Sequence, residues 1–125
     1  MSDLLGYKGK RVIVSGCFSG MGEATAKALI DLGAEVHGLD FKPSTLPLAS
    51  FNTIDLRDPA SIETGVAAIG GKVDALFNCA GLPGGGAFPA LDTFKVNFAG
   101  TRYMTETVLP LMGEGGAIVS IASTG

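Results

Sequence analysis

Three glycines and one aspartate carry the most specific chemistry in this chain. Gly16, Gly20 and Gly22 sit in SGCFSGMG, directly after the apolar run Val12, Ile13 and Val14. A short β-branched run of that kind reads as a buried strand. Behind the glycines lies a helical pattern with Ala24, Ala28, Leu29 and Leu32 on its inner face, stopped by Gly33. A second strand over residues 35–39 then ends on Asp40, 18 residues beyond Gly22. A tight strand-to-helix turn needs backbone conformations that side chains disfavour and glycine permits. Without Cβ atoms the glycines also let a pyrophosphate approach the main chain and let the helix pack close to the strand. The unpaired amides at the helix start favour phosphate, by about 0.3–1 kcal/mol per charge contact. An acid at the spacing of Asp40 suits hydrogen bonds to ribose hydroxyls. Strand, glycine loop, helix, strand, acid is the order that a dinucleotide-binding βαβ unit needs.

The rest of the chain supplies elements to hold that unit. Residues 41–50 carry two prolines and read as a loop, and residues 51–56 as a third strand. Asp58 followed by Pro59 is a helix N-cap with proline at the first position, predicting a helix to about residue 70. Residues 73–79 form a fourth strand and residues 81–86 a glycine-rich loop. Residues 90–112 read mostly as one long helix with Phe94, Val96, Thr101, Met104, Val108 and Leu111 as burial candidates, and residues 117–122 as a fifth strand. Leu5 and Tyr7 are available to cover the bottom of the sheet. Strands alternating with helices predict an α/β fold, a Rossmann-type doubly wound parallel sheet. The order 3-2-1-4-5 follows if the crevice lies at the switch between strands 1 and 4.

Composition excludes other classes. The 125 residues suit a single domain, 1–125, with a hydrophobic fraction of 46% against 17% charged. The net charge is −3 and Lys10-Arg11 is the longest basic run, which argues against nucleic acid as a partner. No apolar run reaches membrane-spanning length, and residues 1–12 lack the basic-then-apolar order of a signal peptide, so the reading is a cytoplasmic protein with no membrane partner. Cys17 and Cys79 have neither CxxC nor metal-ligand spacing, so reduced thiols and no metal are expected. His37, the one histidine, reads as structural.

The glycine spacing is Gly16-xxx-Gly20-x-Gly22, and SGCFSGMG resembles the glycine loop of the short-chain dehydrogenases/reductases. Four more stretches extend the resemblance. Asp55-Leu56 matches the family's Asp-hydrophobic pair at the adenine ring; with no ligand, Asp55 could equally cap the following turn. Asn78-Cys79-Ala80-Gly81 matches Asn-x-Ala-Gly, in which the asparagine steadies the sheet and Ala80 and Gly81 admit the cofactor's ribose. Asn97, in KVNFAG, matches the asparagine whose helical kink and carbonyl help hold a proton-relay water. Ser123 matches the serine that bonds the substrate oxygen, whereas strand alternation puts its competitor Ser120 in the sheet interior. The resemblance implies NAD as cofactor, with NADP disfavoured by Asp40 and by Ser19 where NADP-preferring relatives often carry a basic residue. It also places Met21 in the cofactor loop. Among family members the likeness is to hydroxysteroid dehydrogenases and carbonyl reductases.

One departure bears on activity. The family's general acid/base is a tyrosine with a lysine four residues later, downstream of the serine. Here Tyr7 is followed at that spacing by Arg11 and Tyr103 by Thr107. The chain therefore reads as the cofactor-binding portion of a longer enzyme, truncated after strand 5 and inactive alone. The implied reaction is hydride transfer between NAD and a small-molecule secondary alcohol or ketone, in a homo-oligomer. A non-catalytic NAD-binding module is the alternative. A methyltransferase-like Rossmann domain would keep the glycine loop but not Asn78, Asn97 and Ser123 together.

Overall fold

A computed structural model describes residues 5–82 and 86–121. Strand β1 (Arg11–Ser15) leads through the glycine loop into helix α1 (Gly20–Asp31), then β2 (Glu35–Asp40) and β3 (Ser50–Thr53). Helix α2 (Pro59–Ile69) and β4 (Ala75–Asn78) follow. The long helix is one run of four pieces: α3 (Ala90–Phe94), a π-helical turn (Lys95–Gly100), α4 (Thr101–Val108) and a 3₁₀ turn (Leu109–Leu111). Strand β5 (Ala117–Ser120) completes a five-stranded sheet in the order β3-β2-β1-β4-β5. All four pairings are parallel.

Strand alternation explains the two cores. Val12 and Val14 point to one face and pack with Cys17, Ala26, Leu29 and Val36 beneath α1. Ile13 points to the other and packs with Leu39, Leu76, Ile62, Val66, Met104 and Val108 beneath α2 and α4. Full burial of such a side chain contributes about 1.5–3 kcal/mol. Asp58 caps α2 as its sequence requires, accepting from Ala60 N–H at 3.1 Å. Arg11 holds the far end of α2, where its guanidinium donates to the carbonyls of Gly70 and Lys72, both at 2.7 Å. A cation there meets the negative end of the helix dipole.

Several expectations need correction. Gly22 presses against Gly16 and sets the phase of α1, so Gly22, Ala26 and Leu29 face the sheet. Ala24 and Ala28 are exposed. Strand β3 stops at Thr53, β4 begins at Ala75, and β5 is described only to Ser120. Phe94 is exposed and stacks on Phe98, its i+4 neighbour and exposed as well, rather than entering the core. Leu5 is exposed and only Tyr7 covers the sheet, against Phe77. Ser120 lies on an exposed edge strand, not in a sheet interior. His37 is buried between Ser50 Oγ and Glu35 Oε2, at 2.6 and 2.7 Å.

Candidate functional site

Helix α1 covers one face of the sheet while α2 and α4 cover the other, so the chain reverses direction between β1 and β4. That switch opens a crevice at the carboxyl ends of the strands. Its volume is about 520 Å³, and Gly16, Ser19, Asp40, Asp55, Leu56, Ala80 and Gly81 line it. The fold thus brings together seven of the sequence-predicted residues, from the carboxyl end of β2 and the loops after β1, β3 and β4.

The three loop glycines divide by task. A Cβ on Gly16 would stand 2.5 Å from the Ala80 nitrogen, and one on Gly22 would stand 1.8 Å from the Gly16 oxygen. Both positions are therefore closed by backbone, and their glycines serve the contact of α1, β1 and the loop after β4. Gly20 has φ +61° and nothing within 4 Å of its Cβ position. A methyl group there would meet no protein atom, so what the position asks of its residue is the backbone conformation alone. Ser19 precedes α1 without a side-chain capping bond, so the first-turn amides have an anion-binding role open to them. Met21, in that turn, is exposed.

Asp40 closes the opposite side of the loop. Its Oδ2 accepts from Phe18 N–H at 2.8 Å and its Oδ1 from Phe41 N–H at 2.6 Å. With a longer bond from Lys42 N–H to Oδ1 at 3.4 Å, these fix the carboxylate and leave one acceptor site on Oδ2. Lys42 stands over the Phe18 ring with Nζ 5.6 Å from its centroid, a cation beside the acid. Cys17 is buried beneath the loop; burial and, next, the charge of Asp40 push its thiol up to about 11. Burial likewise raises Cys79.

Asp55 and Leu56 form the far wall. Asp55 pairs with Arg57, whose hydrogen bonds hold its carboxyl below the usual carboxylate range. The Leu56 carbonyl abuts Gly100, where a Cβ would come within 2.4 Å. Only glycine lets the long helix approach this closely.

Asn78 Nδ2 donates to Thr105 Oγ1 at 3.1 Å and Ser120 Oγ at 3.4 Å, tying β4 to α4 and β5. Its Oδ1 is buried without a hydrogen-bond partner, a place suited to an ordered water. Asn97 lies in the π turn and clamps the loop after β4. Its Oδ1 accepts from Leu82 N–H at 2.7 Å, and its Nδ2 donates to the Leu82 carbonyl at 2.8 Å. The widened turn is supported by Thr101, whose hydroxyl donates to the Val96 carbonyl at 3.3 Å. Ser123 lies outside the described residues. Sequence reasoning missed Arg57, Asp92, Phe18 and Leu82 at this site; for Arg57 the signal was adjacency to Asp55-Leu56. Among the described residues no cluster of metal-ligating side chains occurs. No helix among them is long and apolar enough to cross a membrane.

Comparison with known proteins places this geometry in a family. The pattern of the short chain dehydrogenases matches residues 10–125. A coniferyl-alcohol dehydrogenase of Pseudomonas sp. (strain HR199 / DSM 7063) is 40% identical over 91% of this chain and 44% of its own length. A 2,3-dihydro-2,3-dihydroxybenzoate dehydrogenase of Escherichia coli (strain K12) is 34% identical over 94% of this chain and 52% of its own. Among solved structures, a short chain dehydrogenase/reductase from Burkholderia phymatum in complex with NAD superposes with a TM-score of 0.82 at 27% identity. The ligand-free aldohexose dehydrogenase of Thermoplasma acidophilum gives 0.85 at 25%. Each match covers 94% of this chain and 50% of the other. The chain thus spans about half the length of the relatives it matches.

Proposed function

The chain belongs to the short chain dehydrogenase family, and from that premise we propose that it forms the NAD-binding portion of an oxidoreductase acting on a secondary alcohol or ketone. The observation that carries this reading is the joint placement of Gly16, Ser19 and Asp40 on one crevice at the β1–β4 switch, with Gly20 following Ser19 at the start of α1. Phosphates fit over Gly20 at the start of α1, and the adenosine ribose fits against Asp40. The loop at Ala80 and Gly81, held by Asn97, fits the second ribose. NAD supplies the hydride acceptor when bound. Asp40 disfavours the extra phosphate of NADP: a carboxylate about 4 Å from that charge costs on the order of 4 kcal/mol at an effective dielectric of 20. Lys42 offsets part of this.

Asn97 is proposed to act through its place in the π turn, fixing the loop and leaving a helical carbonyl free for a proton-relay water. Ser123 is proposed to hold the substrate oxygen. Proton transfer falls to a tyrosine and lysine that these 125 residues do not contain in the family's spacing, so the chain alone is proposed inactive. Hydroxysteroids and small carbonyl compounds remain the proposed substrates. The relatives' names add coniferyl alcohol and 2,3-dihydro-2,3-dihydroxybenzoate to those worth assaying. Absorbance of reduced nicotinamide, followed with the full-length protein on this panel, tests the reading. Turnover of at least one alcohol supports it. NAD binding without turnover of any would favour the non-catalytic module.

A further inference from the structure

We infer that Arg57 is a positioning residue for the adenine end of the cofactor: its guanidinium locks the Asp55 carboxylate with one acceptor site open to the crevice, and links that wall to Asp92 on α3. The inference rests on the NAD reading above and assigns work to a side chain which that reading does not use.

The geometry is a saturation argument. Asp55 Oδ1 accepts from the Arg57 backbone N–H at 2.9 Å and from Nε at 3.0 Å, and Oδ2 accepts from Nη2 at 2.8 Å. A carboxylate offers about four lone-pair sites. Two on Oδ1 and one on Oδ2 are filled, which leaves a single acceptor site on Oδ2. The backbone beneath is fixed as well. Asp55 N–H donates to Ser61 Oγ at 2.8 Å, and the Asp55 carbonyl accepts from Asp58 N–H at 2.9 Å. Neither the main chain nor the carboxylate is free to turn, so the remaining site has one direction.

Arg57 also reaches the long helix. Its Nη1 lies 3.4 Å from Asp92 Oδ2, and Asp55, Arg57 and Asp92 all line the crevice. The side chains are 30%, 43% and 31% exposed. An ion pair that exposed adds little to stability, so its consequence lies in orientation. The chemistry matches a purine amine: one N–H donor meets the open site on Oδ2, and the flat guanidinium offers a face to the base. Lysine has no such fork.

Calorimetric titration of the full-length protein and its R57A, R57K and D92N variants with NADH, ADP and nicotinamide mononucleotide tests this. R57A should weaken NADH and ADP by about tenfold, the contribution of one hydrogen bond to a charged acceptor, and leave nicotinamide mononucleotide unchanged. R57K should not restore ADP binding, and D92N should weaken ADP by roughly twofold, as befits an exposed pair. The Asp55 carboxyl, followed by NMR, should titrate at higher pH in R57A. ADP binding to R57A at parental affinity would overturn the inference, as would equal losses for ADP and nicotinamide mononucleotide. A parent protein that binds neither NADH nor ADP would overturn the cofactor reading itself, and this inference with it.

Discussion

Gly22→Ala and Gly20→Ala should fail in different ways, and the difference follows from where each Cβ would go. At Gly22 the new carbon would stand 1.8 Å from the Gly16 oxygen. Gly16 cannot retreat. Its N–H is tied to the Leu39 carbonyl at 2.8 Å, and its own Cβ position is closed by Ala80 at 2.5 Å. The start of α1 must therefore lift off β1 by more than about 1 Å. Overpacking costs about 1–3 kcal/mol, and a backbone-on-backbone clash belongs at the upper end. With a urea m-value of about 2 kcal/mol/M, a loss of ~3 kcal/mol lowers the unfolding midpoint by roughly 1.5 M. Gly20→Ala meets open space and bears only the strain of its positive φ, about 1–2 kcal/mol. Its midpoint should fall by roughly half as much, while its methyl group should weaken NADH binding. Urea unfolding and NADH titration of both variants give the comparison. A Gly22→Ala midpoint equal to the parent's, or a larger fall for Gly20→Ala, would refute the division of labour.

Three further outcomes follow from the same contacts. Asn97→Ala removes both bonds to Leu82 at a cost of roughly 1–2 kcal/mol, and hydrogen exchange at the Leu82 amide should accelerate; unchanged exchange there would remove the clamp from the account. The Cys17 thiol, raised to about 11 by burial, contributes stability fully present below its unfolded pKa of ~8.5 and lost as pH rises toward 11. Urea midpoints should fall over that window for the parent and less steeply for Cys17→Ala; parallel curves would contradict it. Finally, β5 is exposed at Ile118 and Val119 and carries no charge or proline, so the 125-residue chain alone should run larger than a monomer by light scattering. A monodisperse monomer would refute that.

Much of this architecture was legible because the signals were local. Asp58-Pro59 marks the start of α2 on its own, and β-branched runs between glycines mark the strands. Asp40 and Asn78 end β2 and β4, and Asp55 follows β3 by two residues, so all three sit near the strand ends that converge at the switch point. What escaped was set by contacts distant in sequence. The phase of α1 depends on Gly22 meeting Gly16, so a helical count from Ala24 placed Leu29 correctly but put the exposed Ala24 and Ala28 on the inner face. The resemblance implied a kink at Asn97, but no periodicity in residues 90–112 announces a π turn over Lys95–Gly100, or the close approach of Gly100 to the Leu56 carbonyl. Arg57 escaped because an arginine beside an aspartate reads as solvated surface until Asp92 is brought across the crevice.

The proposed seat of NAD on the glycine loop and Asp40 has one most direct test. Calorimetric titration of the full-length protein with NADH and NADPH, repeated on Asp40→Asn, measures it. NADH should bind more tightly by at least about tenfold, the part of the ~4 kcal/mol repulsion that Lys42 leaves. Asp40→Asn should narrow the gap from both sides. NADPH binding as tight as NADH in the parent, or a gap untouched by Asp40→Asn, would contradict the assignment.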